Sequence, residues 1–222
     1  MKSYINNIVS LEHSILGNHL KNFDKHWDFI ANLSSLIIEV GKNLNKNEFD
    51  EVAPNVWINK KAKVDKTARI IGPCIIDEGA EIRINAFFRG NTVIGKRCVI
   101  GNSSELKNSI LFDEAKIPHF NYIGDSIVGY KAHFGAGSIT SNIKSDESLI
   151  KIKLNGHIYN TNRKKVGALV GDFVEIGCNS VLSPGVIIGT NTTIYPLTMV
   201  RGVIEENKIV KSMDNIVNKE NL

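Results

Sequence analysis

Cysteine and long apolar runs are both scarce in this 222-residue sequence. No stretch of 18 apolar residues occurs and no charged leader precedes an apolar run, so we predict neither a membrane span nor a secretory signal, and expect a cytoplasmic protein. Its three cysteines, Cys74, Cys98 and Cys178, form no C-x-x-C pair, which favours buried thiols over disulfides or metal ligands. The basic excess of +4 is too mild to indicate a nucleic-acid partner.

A large apolar residue instead recurs every six positions from Val52 to Phe112, and the fifth position of each unit is small through eight repeats, from Ala62 to Ser104. A fixed short period is typical of a stacked solenoid. Six matches neither the helix period nor simple strand alternation. The pattern therefore predicts an all-β fold, a triangular parallel β-helix with eighteen residues in each coil.

The six-residue pattern is interrupted twice. The step from Phe112 to the next matching position, Tyr122, is ten residues, which predicts a four-residue insertion that carries His119. Between residues 140 and 170 the pattern fails, and residues 149–160 alternate around an Asn-Gly dipeptide, the preferred turn of a tight hairpin. We expect a β-hairpin extruded from the coil there.

The two ends of the chain differ from the repeat region. Residues 1–50 show helical spacing, from Trp27 to Leu44, and predict a short N-terminal α-helical cap over the open end of the solenoid. The β-helix domain is predicted over residues 51–205. Residues 206–222 are predicted as a C-terminal tail or short helix.

Two motifs follow the first interruption, H-x-x-Y-x-G-D at residues 119–125 and G-A-G-S-I-T at residues 135–140. With them, the run from Arg89 to Asn142 resembles the acetyltransferase half of bacterial N-acetylglucosamine-1-phosphate uridyltransferase. Residues 149–171 are more similar to archaeal sugar-1-phosphate nucleotidylyltransferases that carry an acetyltransferase domain. The resemblance implies a left-handed hexapeptide-repeat β-helix that acetylates an amino-sugar 1-phosphate from acetyl-coenzyme A. Glucosamine and galactosamine 1-phosphate both stay open as acceptors.

The same resemblance implies the site residues and the assembly. They are catalytic His119; substrate-binding Arg89, Lys107, Tyr122 and Asn142; and coenzyme-binding Ala136, Cys178 and Tyr195. Two further residues, His133 and Lys151, are only candidates for an accessory role: solvent exposure is the default interpretation of His133, and Lys151 belongs to the basic cluster around the hairpin. No metal is expected. Members of the family build each acetyl-coenzyme A cleft between neighbouring prisms, so a parallel homotrimer is implied.

These residue types suit acetyl transfer. An amine at neutral pH is mostly protonated, so a base with a pKa near the working pH is needed, and His119 is the candidate. Arg89 lies eighteen residues, one coil, before Lys107, so both cations converge on one phosphate. Backbone N–H groups of the G-A-G turn or the Asn142 amide are candidates to stabilise the oxyanion.

The chain departs from the family pattern at His133, where the family has asparagine, and at Ile143, where it has tyrosine. The nucleotidyltransferase domain that precedes the β-helix in both families is also missing, so we expect no uridylyl transfer. These departures leave open a second hypothesis, a non-catalytic trimeric scaffold that keeps the fold and has lost the site.

A third hypothesis is a metal enzyme. The γ-class carbonic anhydrases share the triangular prism and bind zinc with three histidines, two of which are five residues apart in sequence. No pair of histidines in this chain has that spacing, and His119, His133 and His157 are scattered. This hypothesis is therefore the weakest of the three.

Overall fold

The computed structural model describes residues 4–154 and 156–220. Asn155, the first residue of the predicted turn dipeptide, lies outside them. None of the described helices combines the length and apolarity that crossing a membrane requires. The described N-terminal segment consists of the 3-10 turns Tyr4–Asn7 and Leu11–His13 and the helices α1 (Gly17–Leu20) and α2 (His26–Lys42).

Short strands alternate with turns along the remaining described chain. They are β1 (Phe49–Ala53), β2 (Val56–Asn59), β3 (Lys63–Val64), β4 (Arg69–Ile71), β5 (Cys74–Ile76), β6 (Glu81–Ile82), β7 (Phe87–Arg89), β8 (Thr92–Ile94), β9 (Val99–Asn102), β10 (Glu105–Lys107), β11 (Ser109–Leu111), β12 (Lys116–His119), β13 (Tyr122–Gly124), β14 (Ile127–Val128), β15 (His133–Phe134), β16 (Ile139–Thr140), β17 (Lys151–Leu154), β18 (His157–Asn160), β19 (Leu169–Val170), β20 (Glu175–Ile176), β21 (Val181–Leu182), β22 (Ile187–Ile188), β23 (Thr193–Ile194), β24 (Met199–Val200), β25 (Val203–Ile204), β26 (Lys208–Ser212) and β27 (Asn215–Asn218).

Three sheets form the faces of a left-handed parallel β-helix, which confirms the predicted fold class. Face A has the order β1-β2-β5-β8-β11-β14-β19-β22-β25. Face B has the order β27-β26-β23-β20-β15-β12-β9-β6-β3, and face C has β24-β21-β16-β13-β10-β7-β4. The chain visits the faces in the order A, B, C, so each coil adds one strand to every sheet.

The interior of the prism is filled by the six-residue register. Phe88 and Ile100 are fully buried there, and Cys74 and Cys98 occupy buried corners as free thiols. Burial raises the pKa of the Cys74 thiol to about 12, so it stays protonated and unreactive. The register begins later than the sequence pattern indicates, because Val52 lies in the antiparallel strand β1 and is 59% exposed.

The predicted four-residue insertion after Phe112 is wrong. Leu111, not Phe112, fills the interior position, and Phe112 instead packs against the N-terminal segment. Ile117 follows six residues later and pairs with Ile100, which is 17 residues earlier rather than 18. The coil is therefore shortened by one residue, and His119 lies at the end of a regular strand.

The N-terminal segment is helical as predicted, but it lies lengthwise on the outer side of face A and does not cover the open end. Gly41 of α2 packs against the Trp57 ring in the first coil, and the Ser10 N–H donates to Asp172 Oδ2 at 2.8 Å far along the prism. The physical reason is an apolar outer surface that needs cover. Its buried residues are Ile75, Val93, Ile110, Ile127, Leu169 and Ile187.

The predicted β-hairpin is present as β17 and β18, which pair antiparallel. It is not extruded into solvent, because Ile150, Ile152 and Leu154 are buried in the same cluster as Trp27 of α2. The hairpin and the N-terminal segment therefore share one apolar layer outside the prism.

The C-terminal segment forms β26 and β27 in place of the predicted C-terminal tail or short helix. Ile209 and Val210 pair with β23 and extend face B, and Val210 is fully buried. β-Branched residues that fill a pleated, half-buried position favour a strand over a helix.

Removal of the buried hairpin side chain should test this packing. Because Ile150 is fully buried and lies against Gly185, Ile150→Ala is expected to lower the free energy of unfolding by about 2–4 kcal/mol. Ile158→Ala is the matched control, since Ile158 is 65% exposed in the partner strand and its loss should cost less than about 0.5 kcal/mol. Equal destabilisation in urea denaturation would show that the hairpin does not pack as described.

Candidate active site

Two cations lie side by side on face C. Arg89 ends β7 and Lys107 ends β10, and these strands are neighbours in the sheet. The Arg89 Nη1 is 2.6 Å from Glu105 Oε1, and the Lys107 Nζ is 3.5 Å from Asp125 Oδ2. Each cation therefore has a carboxylate partner when no ligand is bound.

Asp125 is the centre of a partly buried polar cluster, the Asp125 network, made of Lys107, Asn108, Tyr122, Asp125 and Asn142. Its Oδ1 accepts a hydrogen bond from Asn108 Nδ2 at 2.8 Å, and its Oδ2 accepts one from Asn142 Nδ2. The Asn142 Nδ2 also donates to the Tyr122 hydroxyl at 3.1 Å. Three predicted substrate residues thus meet around a carboxylate that sequence reasoning missed, although it ends the first motif.

Tyr122 keeps its proton in this surrounding. Burial, together with the nearby Asp125 carboxylate, raises the pKa of the Tyr122 hydroxyl above its usual range. Gly124 makes the contact between Tyr122 and Asn142 possible, because a Cβ at this position would lie 2.5 Å from the Tyr122 hydroxyl oxygen and 2.8 Å from Asn142 Nδ2.

His119 is exposed at the corner where face B turns into face C. Its backbone is fixed: the N–H donates to Asn121 Oδ1 at 3.0 Å, and the C=O accepts from the Gly137 N–H at 3.0 Å. Within residues 4–154 and 156–220, no side chain makes a hydrogen bond to the imidazole of His119. The ring is accessible, and nothing in the described part of this chain orients it.

The three predicted coenzyme residues lie in one column of corner turns above His119, in which Ala136 and Cys178 occupy equivalent positions and Tyr195 lies one residue before the position that stacks on Cys178. The Ala136 C=O accepts from the Asn179 N–H at 2.8 Å, and the Cys178 C=O accepts from the Leu197 N–H at 2.9 Å. Successive corner turns therefore stack at the coil spacing of roughly 4.8 Å. Cys178 and Tyr195 are exposed, so the column presents an open edge to solvent.

The two predicted accessory residues lie elsewhere. His133 is on face B, where its Nδ1 is 2.8 Å from Glu175 Oε2. Lys151 is exposed on the hairpin strand β17. No hydrogen bond or ion pair among the described residues joins either one to the Asp125 network.

Similarity to known proteins shows which family the chain belongs to. The bifunctional protein GlmU of Methanococcus maripaludis is 35% identical over 188 residues, which cover 74% of this chain and 46% of that protein. The bifunctional sugar-1-phosphate nucleotidylyltransferase/acetyltransferase of Sulfurisphaera tokodaii is 35% identical over 208 residues, 86% of this chain and 49% of that protein. YaiX of Escherichia coli, named an uncharacterized acetyltransferase, is 30% identical over 194 residues, 87% of this chain and 79% of that protein. The chain belongs to the hexapeptide-repeat acyltransferases.

The chain is also similar to one family model and to solved structures. A family model described as the GMPPB C-terminal domain matches residues 70–153. Among solved structures, a variant of AntD, an N-acyltransferase from Bacillus cereus, is 19% identical, with a TM-score of 0.39 over 80% of this chain and 87% of that chain. This hexapeptide-repeat acyltransferase spans about half the length of GlmU and of the Sulfurisphaera protein.

One cavity of the acyltransferase adjoins the Asp125 network. Asp125 and Asn108 line it from the prism, Trp27 and Ile30 line it from α2, and the basic residues 163–165 close it. The positive charge of that run therefore lies beside the carboxylate that pairs with Lys107. In the part of the chain that the structure describes, no three His, Cys, Asp or Glu side chains come together as a metal site requires.

Proposed function

We propose that this acyltransferase moves the acetyl group of acetyl-coenzyme A to the amine of an amino-sugar 1-phosphate. One observation carries the proposal: Arg89 and Lys107 lie on adjacent strands beside Tyr122 and Asn142, one corner of the prism away from an exposed His119. The names of the Sulfurisphaera and Escherichia relatives, both acetyltransferases, support it. The proposal covers acetyl transfer alone.

The reaction assigns a role to each group. The neutral amine attacks the thioester carbonyl carbon, a C–N bond forms, and the amine proton passes to His119. The tetrahedral intermediate collapses, the C–S bond breaks, and the leaving thiolate takes the proton from the His119 imidazolium, which restores the base. Arg89 and Lys107 neutralise the phosphate, which fixes the sugar without taking part in bond making.

The oxyanion of the intermediate needs a donor with a free hydrogen. Asn142, a candidate from the sequence, is unsuited, because its amide hydrogens are directed to Asp125 and Tyr122. The Ala136 N–H makes no hydrogen bond within the described residues and lies one coil from His119. We therefore assign oxyanion stabilisation to the backbone N–H of Ala136.

Coenzyme binding is proposed along the corner column of Ala136, Cys178 and Tyr195. The column starts at the coil of His119 and continues through later coils toward the C-terminal end of the prism. A thioester bound at the Ala136 end of the column would therefore lie beside the imidazole. Exposed apolar side chains at the upper end, including Leu197 at 80% exposure, suit the carbon chain of pantetheine.

A homotrimer would complete the site. Face A is covered by the chain's own N-terminal segment, so the outer sides of faces B and C are left for neighbours, and His119 lies at their shared corner. A neighbouring prism would also supply the partner that the imidazole lacks. We expect sedimentation velocity to give three times the 24.6 kDa of one chain at all micromolar loading concentrations. A monomer that persists over that range would contradict this assembly.

A thiol-release assay tests the proposed function. Acetyl-coenzyme A is offered with glucosamine 1-phosphate, galactosamine 1-phosphate, free glucosamine and, as a control without an amine, glucose 1-phosphate. We expect thiol release with at least one amino-sugar phosphate, weaker release with the free amino sugar and none with the control. No release with any amine, together with no thermal shift on adding acetyl-coenzyme A, would favour the scaffold hypothesis.

A further inference from the structure

We propose that Asp125 is a positioning residue that determines which atoms of Asn142 and Tyr122 face the acceptor substrate. The inference rests on the proposed acetyl transfer, since it concerns the acceptor side of that site. It does not follow from the two motifs alone, because it depends on contacts between three successive coils.

The direction of each hydrogen bond follows from the chemistry of the carboxylate. An ionised carboxylate only accepts, so Asn108 and Asn142 must both turn their Nδ2 groups toward Asp125. The Lys107 Nζ lies 3.5 Å from Oδ2, the same oxygen that accepts from Asn142. The second hydrogen of Asn142 Nδ2 is directed to the Tyr122 oxygen at 3.1 Å.

Both amide hydrogens of Asn142 are therefore used in hydrogen bonds to Asp125 and Tyr122. Its Oδ1, which has no hydrogen-bond partner among the described residues, is presented as an acceptor. The Tyr122 oxygen accepts from Asn142, so its own O–H is left to donate. The site therefore recognises a donor group of the substrate, an amine or hydroxyl hydrogen, at Asn142 and an acceptor oxygen at Tyr122.

The carboxylate itself is firmly held. The Asp125 N–H donates to the Lys107 C=O at 2.9 Å, and its C=O accepts from the Gly167 N–H at 2.9 Å. The residue is 5% exposed, so its position does not depend on solvent. A rigid carboxylate that fixes two substrate-facing side chains is what precise positioning requires.

Backbone geometry decides which variants are informative. Asp125 has φ of +51°, a left-handed conformation that asparagine and glycine adopt at lower cost than alanine. Asp125→Asn keeps an oxygen that Asn142 can donate to, provided that Asn108 turns its amide. Asp125→Gly removes the acceptor without backbone strain. Asn108→Gly is the matched control, because Asn108 has φ of +48° and contacts only the Oδ1 side.

The first experiment needs no catalysis. In ¹⁵N-labelled protein, the Asn142 side-chain amide should exchange slowly with water in the wild type, Asp125→Asn and Asn108→Gly, and at the rate of a solvated amide in Asp125→Gly. Retained protection in Asp125→Gly would overturn the proposal, whether or not the protein acetylates anything.

The second experiment separates positioning from simple stability. Asp125→Gly should raise KM for the best amino-sugar phosphate of the panel roughly 10- to 100-fold, with KM for acetyl-coenzyme A within about twofold, while Asp125→Asn recovers most of the loss. A lower melting temperature with unchanged KM would show a merely structural role and overturn the proposal. If the wild type transfers no acetyl group, the proposed function fails, and the amide exchange still decides the role of Asp125.

Discussion

Replacing His119 by alanine is expected to lower kcat for acetyl transfer by roughly 10²–10⁴, the usual contribution of a general base, while acetyl-coenzyme A binds with nearly unchanged affinity. The loss falls on kcat because the imidazole takes a proton in the transition state and binds neither substrate strongly. Steady-state thiol release gives kcat, and equilibrium titration of acetyl-coenzyme A gives the affinity.

His133→Ala is the matched control, because this second histidine lies in the next coil at the start of its face B strand, away from the corner that carries His119, with Glu175 as its partner. We expect its kcat to stay within about threefold of the wild type. A turnover near normal in His119→Ala, or an equal loss in both variants, would remove the assignment of the base.

Removal of either proposed phosphate-binding cation, Arg89 or Lys107, should give the second large effect on activity. Arg89→Ala and Lys107→Ala are each expected to raise KM for the amino-sugar phosphate roughly tenfold or more, since each removes a charge-assisted hydrogen bond to one dianion. In free energy, the double variant should lose less than the sum of the single losses, because both cations address the same group. The same assay with free amino sugar should show little difference among the variants.

Arg83→Ala is the control for this pair. Arg83 is also a surface arginine paired with a glutamate, Glu81, at 2.7 Å, and its side chain is 41% exposed against 46% for Arg89, but it follows the face B strand β6. Its KM should equal that of the wild type. If Arg89→Ala behaves like Arg83→Ala, then Arg89 is a surface residue and the phosphate is held elsewhere.

The prism could be predicted because its register depends on local spacing. Each coil repeats the same steric demand, a large residue inside and a small one at the corner, so residues such as Phe88 and Cys98 carry the pattern on their own. The 17-residue coils near His119 escaped prediction, because the apolar Phe112 follows directly after Leu111 and hides the missing residue.

The sequence does contain a signal for the position of the N-terminal segment. On face A the inward residue is preceded by a second apolar residue in strand after strand, as in Ile75-Ile76, Val93-Ile94 and Leu169-Val170. A doublet that recurs once per coil shows that one face is apolar on both sides, and such a face needs a cover. That pattern predicts a segment lying along a face, in place of a cap on the end.

The candidate site was predictable only in part. Arg89, Lys107, Tyr122 and Asn142 could be named from the family resemblance, and the structure places the last three around one carboxylate. The role of Asp125 depends on contacts across coils, which one sequence does not display. The separation of His133 from the Asp125 network likewise follows from the assignment of β15 to face B.

The lengthwise N-terminal segment changes how this solenoid should fold. In a simple solenoid each coil touches only its neighbours, so the ends fray independently. Here hydrogen bonds join Ser10 to Asp172 and Thr190 to Ile8, across 162 and 182 positions of the chain. We therefore expect the late coils to unfold only together with the N-terminal segment, which is synthesised before them. Because that segment can dock along face A only after those coils have formed, we expect the segment and the coils together, and not the single coil, to be the cooperative unit.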